Sequence, residues 1–151
     1  MFRFVVLLGL AVLTTAGSAQ NVKFGTDSGE FAKDGICDDR RFIGLGMDSY
    51  LDRDDVGRDA SDCMFLYQQG GIRLVDVAKS KAQTNCTTIN FGRNISEWKD
   101  DGLCDDYRFD GPGADSIISI PDVFRDAKDC KSQCQAGNIY YRQSNIHYRQ
   151  R

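Results

Sequence analysis

The stretch DGICDDRRFIGLG at residues 34–46 returns as DGLCDDYRFDGPG at residues 101–113, an offset of 67 residues. The repeat extends to both sides without a gap, pairing residues 24–72 with residues 91–139, and 24 of the 49 paired positions are identical. An internal repeat constrains the architecture before any helix or strand is assigned. The retained positions are mostly Asp, Gly and Cys, which supply oxygen ligands, unusual backbone angles and crosslinks. The sequence therefore predicts two tandem small modules.

Each module is expected to have an α+β fold with short strands, an Asp/Gly-rich loop and one helix. The helical periodicity predicts helices over residues 55–69 and 122–136, ending at Gly70 and Gly137, where a C-terminal cap belongs. The apolar stripe of the first helix would contain Ala60, Cys63, Met64 and Tyr67, and Cys134 takes the place of Tyr67 in the second copy. Short strands are predicted to enter the modules at residues 21–24 and 87–91 and to leave them at residues 72–75 and 139–141.

The chain divides at changes of composition. The division predicts a signal peptide at residues 1–19, a first module at 20–75, a linker at 76–86, a second module at 87–141 and a basic aromatic tail at 142–151. A basic start, an apolar run over residues 4–13 and small residues before a cleavage point after Ala19 are typical of secretion. The apolar run is too short for a spanning helix, so we expect a secreted protein, extracellular or periplasmic, with no membrane span.

Six cysteines suit an oxidising compartment. Six cysteines allow 15 pairings, but the repeat favours Cys37–Cys63 and Cys104–Cys130, because both pairs have the same spacing of 26 residues. Cys86 and Cys134 then pair by elimination. A zinc site is the alternative, and the single histidine and the absence of a C-x-x-C motif argue against it.

The charge distribution is uneven. Residues 34–63 and residues 100–130 each contain nine aspartates and no glutamate. Contacts with phosphate groups dominate the affinity of proteins for nucleic acids. The high density of aspartates in these two segments therefore argues against a nucleic-acid partner.

Seven aspartates recur in register, and their pattern indicates a cation site in each module. They are Asp34, Asp38, Asp39, Asp48, Asp55, Asp59 and Asp62 in the first copy, and Asp101, Asp105, Asp106, Asp115, Asp122, Asp126 and Asp129 in the second. The last three of each set would share one helix face, where like charges destabilise a helix unless a cation neutralises them. Calcium takes 6–8 oxygen ligands in flexible geometry, so one structural Ca²⁺ per module is predicted. Glycines 35, 44 and 46, with their counterparts 102, 111 and 113, would supply positive φ angles to the loop.

Arginines offer an alternative to the metal. Arg41 and Arg58, with Arg108 and Arg125 in the second copy, could neutralise the same aspartates as ion pairs. One of Asp55 or Asp122 could instead be a helix N-cap, and Asp34 and Asp101 could stabilise turns. The EF-hand spacing is absent.

The pattern D-G-x-C-D-D-x-R-F-x-G-x-G, followed by D-A-x-D-C-x₆-G, resembles a repeat of exported bacterial proteins that often occurs in tandem. The resemblance covers nearly the whole predicted mature chain and implies the module without implying an activity. More weakly, the D-x-x-x-D-A-x-D-C end is similar to the acidic, cysteine-anchored calcium cages of LDL-receptor class A and Notch Lin-type repeats. Those repeats have three disulfides in a shorter length.

The composition argues against an enzyme. Nucleophilic catalysis needs an activated Ser or Cys with a base, but His147 is the only histidine and every cysteine is assigned to a disulfide. Paired carboxylates could act on a glycan, yet a dense Asp cluster beside Gly and Cys is more typical of metal binding or structure. We therefore expect a binding or interaction role, with a protein, a glycan or another copy of the chain as partner.

Positions where the copies differ are candidates for partner contacts, and the other explanation for their apolar residues is an interface between the modules. The candidates are Phe65, Leu66, Tyr140, Tyr141, Arg142, Tyr148 and Arg149. The tail could be a disordered end or an added strand that docks on a neighbouring molecule, which predicts a self-assembling fibre or coat subunit as the alternative function. Asn85 and Asn94 match the N-glycosylation sequon, which matters only in a eukaryotic host.

Overall fold

A computed structural model describes residues 21–142 as a mixed α+β structure with three α-helices, short strands and three disulfides. Its elements are β1 (Phe42–Gly44), β2 (Tyr50–Asp52), α1 (Ala60–Gln68), β3 (Ile72–Leu74), α2 (Val77–Gln83), β4 (Cys104–Asp106), β5 (Phe109–Asp110), β6 (Ala114–Ser119), α3 (Ala127–Gln135) and β7 (Tyr140–Tyr141). The predicted signal peptide and residues 143–151 of the predicted tail lie outside the described residues. Within residues 21–142, no helix has the length and apolarity needed to cross a membrane.

The disulfides join the predicted partners. Cys37 pairs with Cys63, Cys104 with Cys130 and Cys86 with Cys134. No cysteine among residues 21–142 is free. The first two bridges are fully buried and join the Asp-rich loop of each copy to the first turns of α1 or α3.

Equivalent residues of the two copies make equivalent contacts. Phe24 stacks on Phe42 with ring centroids 5.5 Å apart, and Phe91 stacks on Phe109 at the same distance. β1 pairs with β3 and β5 pairs with β7, both antiparallel. The copies differ at the helix face, where Tyr67 packs edge-on against Phe24 and Phe42 while Cys134 forms a disulfide. A crosslink has therefore replaced aromatic packing, as the sequence predicts.

A three-stranded sheet of order β2-β6-β4 joins the two copies. β2 and β6 are antiparallel, and the fully buried Leu51 and Ile118 lie opposite each other. Leu51 and Ile118 are equivalent positions of the repeat, since 51 plus 67 is 118. In the flanking pairs, Tyr50 lies opposite Ser119 and Asp52 lies opposite Ile117. Ile117 is the repeat equivalent of Tyr50, and Ser119 is that of Asp52, so the two pairs are related by exchange of the copies. The strand pair therefore has a local two-fold axis between Leu51 and Ile118, as in an isologous dimer interface.

Arg142 is enclosed where the copies meet. It is fully buried and donates from Nη1 to the carbonyl of Tyr107 and from Nη2 to the carbonyls of Arg40 and Phe42. Arg40 and Tyr107 are again equivalent positions, since 40 plus 67 is 107. One guanidinium therefore binds the same backbone position of both copies. Arg142, predicted as a partner contact at the start of the basic tail, is instead enclosed by the backbone of both copies.

Both Asp-containing helices begin later than predicted. α1 begins at Ala60 and α3 at Ala127, while Arg53–Asp55 forms a separate 3-10 turn. Gly57 and its counterpart Phe124 have φ angles of 72° and 64°, which a right-handed helix does not accommodate. Asp55 and Asp122 therefore do not share a helix face with the other aspartates. The N-cap positions are Asp59 and Asp126 instead.

The C-terminal ends of these helices agree with the prediction. Gly70 and Gly137 have φ angles of 72° and 74°, and the amide after each donates back to the helix, from Gly71 to Leu66 and from Asn138 to Gln133. In the predicted apolar stripe Cys63 is buried, but Met64 is 43 % exposed.

The strand and linker predictions are only partly right. β3 and β7 form as expected, whereas residues 21–24 and 87–91 contain no strand. Residues 76–86, predicted as a polar linker, contain α2. The side chain of Asp76 accepts a bond from the amide of Lys79 and caps this helix. α2 lies against β7, where Thr84 Oγ1 accepts the amide of Tyr141.

Candidate metal centre

Five aspartates gather beside the buried disulfide in each copy. Cluster 1 consists of Asp34, Asp38, Asp48, Asp59 and Asp62, and cluster 2 of the equivalent Asp101, Asp105, Asp115, Asp126 and Asp129. Their carboxylates lie close enough for the charge of one to raise the pKa of another. The sequence predicted all ten of these residues as metal ligands.

Local backbone structure places the members of cluster 1. The amide of Asp38 donates to Asp59 Oδ2 at 2.9 Å, so the loop approaches the start of α1. Asp34 and Asp48 accept the amides two residues later, from Ile36 and Tyr50, and each stabilises a tight turn. Gly35, within the first of these turns, has a φ of 93°, as predicted.

Cluster 2 repeats this arrangement. The amide of Asp105 donates to Asp126 Oδ2 at 3.0 Å, and Asp101 and Asp115 accept the amides of Leu103 and Ile117. One glycine prediction fails in this copy, because Gly113 is not among the positive-φ residues. Glycine is needed there for space, since a Cβ atom would lie 2.4 Å from Gln133 Oε1.

Buried carboxylate oxygens without a hydrogen-bond partner set these clusters apart. The unpartnered atoms are Asp38 Oδ2, Asp59 Oδ1 and Asp62 Oδ2 in cluster 1, and Asp105 Oδ2 and Asp126 Oδ1 in cluster 2. Asp38, Asp59, Asp105 and Asp126 are each at most 6 % exposed. An uncompensated buried charge is costly, so either a proton or a cation must occupy these positions.

Burial and mutual repulsion shift the acidity of the four buried aspartates. Burial, followed by the charge of Asp59, raises the pKa of Asp38 to about 7, and burial raises the pKa of Asp59 to about 6. In cluster 2, burial and the charge of Asp126 raise the pKa of Asp105 to about 8, and burial raises the pKa of Asp126 to about 7. The neighbouring charges with the largest effects on these four groups are all aspartates. In cluster 2, the exposed Lys128 acts on Asp129, and no cation is among the main influences on the four buried carboxylates.

The geometry gives two buried groups of Cys and Asp that could hold a metal ion: Cys37, Asp59 and Cys63, and Cys104, Asp126 and Cys130, with ligand atoms within 4.8 Å of one another. In each group the two sulfurs are bonded to each other, so they are not the thiolates that bind zinc. The oxygens of the surrounding aspartates remain as ligands. An all-oxygen set of carboxylates favours a hard cation such as Ca²⁺ or Mg²⁺.

Asp39 and Asp106 were predicted as metal ligands but belong to ion pairs. Asp39 binds the guanidinium and amide of Arg41, and Asp106 binds those of Arg108. Each aspartate also accepts a second amide, that of Gly57 or Phe124. The Asp/Arg alternative is therefore right at this position of the repeat. Arg58 and Arg125 donate instead to Ser28 and to the carbonyl of Ile95, although the charge of Arg58 still lowers the pKa of Asp55 against the larger effect of burial.

Asp55 and Asp122 lie at the edge of the clusters. Both oxygens of Asp122 accept serine hydroxyls, from Ser96 and Ser119. Burial and the neighbouring Asp52 raise the pKa of Asp55. Because α1 and α3 begin at Ala60 and Ala127, neither residue is the predicted N-cap.

The structure separates the predicted partner contacts. Phe65 is 60 % exposed, whereas Leu66 packs on the core and Tyr140 is buried. Tyr141 packs edge-on against Phe109. Tyr148 and Arg149 lie outside the described residues.

The two predicted N-glycosylation sites differ in exposure. Asn85 is exposed, while the sequon of Asn94 ends in the buried Ser96.

Sequence reasoning missed that three arginines, Arg40, Arg53 and Arg142, bond to backbone carbonyls across the two copies. Arg40 pairs with Asp110 and donates to the carbonyls of Asp115 and Ser116. The repeat gives no signal for it, because its counterpart in the second copy is Tyr107.

Comparisons with known protein families, with curated proteins and with solved structures found no match. The resemblance to exported bacterial repeats and to calcium cages therefore stays a prediction. The function has to be inferred from the chemistry of the two carboxylate clusters.

Proposed function

We propose that this protein is a secreted two-module calcium-binding protein, with one structural Ca²⁺ in each carboxylate cluster and a binding or interaction role. The observation that carries the proposal is the set of unpartnered oxygens on Asp38, Asp59, Asp105 and Asp126. Each of these side chains is more than nine-tenths buried. The neighbouring charges that most affect their pKa values belong to other aspartates, and none is a positive charge. A cation would complete two sites that are equivalent in sequence and differ at one position, since Asp129 Oδ2 accepts the amide of Asp100 while Asp62 Oδ2 has no partner.

The donor set favours calcium over magnesium. Calcium accepts 6–8 oxygens in irregular geometry, whereas magnesium demands a near-ideal octahedron and usually retains several waters. Five carboxylates, of which at least two are buried, would supply most ligands from the protein rather than from water. The three disulfides support secretion, because such bonds persist outside the reducing cytosol.

The metal's role would be structural. The disulfide Cys37–Cys63 joins the Asp-rich loop to α1, and the ion would join the same two segments through Asp38 and Asp59. Calcium would hold in place the turn at residues 45–46, where Leu45 is 75 % exposed, and the exposed Phe65 on α1. These two apolar side chains are the best candidates for contact with a protein or glycan partner.

We expect calcium to raise the thermal unfolding temperature of the oxidised protein. Binding to the native state stabilises it by RT ln(1 + [L]/Kd), which is about 1.4 kcal/mol per site at a free calcium concentration of roughly ten times Kd. The double variant Asp59→Asn with Asp126→Asn should lose this shift. In EDTA, the same variant should be at least as stable as the wild type, because an unpartnered buried charge has been removed. Differential scanning calorimetry with calcium, magnesium or EDTA measures all three expectations.

Asp54→Asn is the matched control, because it removes an exposed aspartate outside the clusters. It should retain the full calcium shift. If calcium and EDTA give the same unfolding temperature for the wild type, the proposed function is wrong.

The metal-free protein should lose stability as the pH rises from 5 to 8. The folded-state pKa values of Asp38 and Asp105, about 7 and 8, lie above the ordinary value near 4. The folded state therefore holds more protons than the unfolded state, and this contribution is complete below pH 4 and lost as the pH passes 7 to 8. Urea unfolding in EDTA at pH 5, 6.5 and 8 measures it. The double variant Asp38→Asn with Asp105→Asn should show a flatter profile, and an unchanged profile would contradict the raised pKa values.

A further inference from the structure

Each carboxylate cluster is attached directly to the strand pair that joins the copies. The amide of Asp48 donates to the carbonyl of Cys37, and its carboxylate accepts the amide of Tyr50, the first residue of β2. In the second copy, the carboxylate of Asp115 accepts the amide of Ile117 within β6. A cation held by Asp48 or Asp115 would therefore act on the backbone of β2 or β6.

β2 and β6 contact each other along their full common length. Tyr50, Leu51 and Asp52 pair with Ser119, Ile118 and Ile117, and the amide of Ile120 adds a bond to the carbonyl of Ser49. At about 3.3 Å per residue, the six steps along this ladder between Asp48 and Asp115 correspond to about 20 Å. This exceeds the screening length of about 8 Å at physiological salt, so repulsion between two bound ions is weak.

Arg40 provides a second connection between the clusters. It follows Asp38 by two residues, and its guanidinium donates to the carbonyl of Asp115 at 3.1 Å and to that of Ser116 at 2.8 Å. The buried guanidinium is held in position by a bidentate contact with Asp110. Arg53, which follows β2, donates to the carbonyl of Ala114 at 2.9 Å. The loop of cluster 1 is thus bonded to the backbone of a cluster 2 residue.

We propose that the two clusters bind calcium with positive cooperativity, each ion raising the affinity of the other cluster through Arg40 and the β2–β6 pair. This inference rests on the proposed function. An ion in either cluster favours the same ordered arrangement of both strands, so the second ion has less ordering to impose. Because coupling is reciprocal, the effect has the same size in both directions, although only the first copy contains the arginine.

The test is calorimetric titration of the oxidised full chain with calcium chloride. Asp38→Asn disables cluster 1 and Asp105→Asn disables cluster 2, so each variant reports the affinity of the remaining cluster alone. The product of the two stepwise association constants of the wild type should exceed the product of the two single-site constants by at least about fivefold. Arg40→Lys retains the charge but not the planar fork. When the Asp38→Asn and Asp105→Asn substitutions are each added to Arg40→Lys, the ratio of the two products should fall toward one. Asp54→Asn, an exposed control, should leave this ratio unchanged.

The outcomes separate the two proposals. If the wild type binds two ions and the product of its stepwise constants equals the product of the two single-site constants, the cooperativity is overturned and the proposed function stands. One ion per chain would also overturn the cooperativity. No calcium binding would overturn both proposals. The comparison of wild type with the two single-site variants decides the matter even if the Arg40 variant fails to fold.

Discussion

Replacing Asp106 with asparagine is expected to lower the free energy of unfolding by about 3–5 kcal/mol, the loss typical of breaking a buried ion pair. The Arg108 side chain is 4 % exposed, and both oxygens of Asp106 accept bonds from its guanidinium. The amides of Arg108 and Phe124 bond to different oxygens of Asp106, so an asparagine, with one acceptor oxygen, could accept only one of them. The guanidinium would also remain buried without a counter-charge. Its contact with the Phe124 ring, 3.8 Å from the centroid, is too weak to compensate. Urea denaturation of the oxidised protein measures the loss.

The equivalent substitution in the first copy is the control. Asp39→Asn removes the same carboxylate from the same position of the repeat, but the Arg41 side chain is 35 % exposed. Water can then hydrate the released guanidinium, and we expect a loss of about 1–2 kcal/mol, close to that of a charged hydrogen bond. Equal losses in the two copies would show that burial of the arginine does not set the cost.

The repeat divides its aspartates into two classes that the sequence does not distinguish. Asp38 and Asp39 are adjacent and both buried, yet Asp39 forms an ion pair with Arg41 while Asp38 has an unpartnered oxygen. Both are identical in the two copies, so the repeat selects them equally. What separates them is the direction of the side chain from an irregular loop, which residue spacing does not encode. The Asp/Arg interpretation is therefore right for Asp39 and Asp106, and calcium binding stays a prediction for the other aspartates.

The disulfides could be predicted because the same spacing of 26 residues occurs twice. The starts of α1 and α3 could not, because the spacing of Asp55, Asp59 and Asp62 imitates a helical face. Gly57 is the signal that was available, since glycine in a helix interior costs about 1 kcal/mol relative to alanine. Its counterpart Phe124 has the same positive φ without being glycine, which hides the signal in the second copy.

The association of the copies through β2 and β6 also lay beyond sequence reasoning. β2 has three residues and only one of them, Leu51, is fully buried, so no alternation of apolar and polar residues marks it. Strand pairing of this kind depends on contacts distant in sequence. The repeat does explain the outcome, because equivalent segments can pair about a two-fold axis and satisfy each other's backbone groups.

Replacing Arg142 with methionine is expected to lower the free energy of unfolding by about 3 kcal/mol. Three buried carbonyls, those of Arg40, Phe42 and Tyr107, would each lose a donor, at about 1 kcal/mol apiece or more. One effect opposes this loss, because the substitution also removes a buried charge that repels Arg40 and has an unpartnered Nε. The carbonyl bonds should dominate, because methionine fills most of the space but donates nothing.

Arg125→Met is the matched control, since Arg125 is exposed and makes a single bond of 3.5 Å to the carbonyl of Ile95. It should change the stability by no more than about 0.5 kcal/mol. Because Arg142 binds both copies at equivalent carbonyls, its loss should also increase hydrogen exchange at the amides of β2 and β6, which form another contact between the copies. If Arg142→Met matches the control in both measurements, the guanidinium does not hold the copies together, and the β2–β6 pair, Arg40 and Arg53 would have to do so.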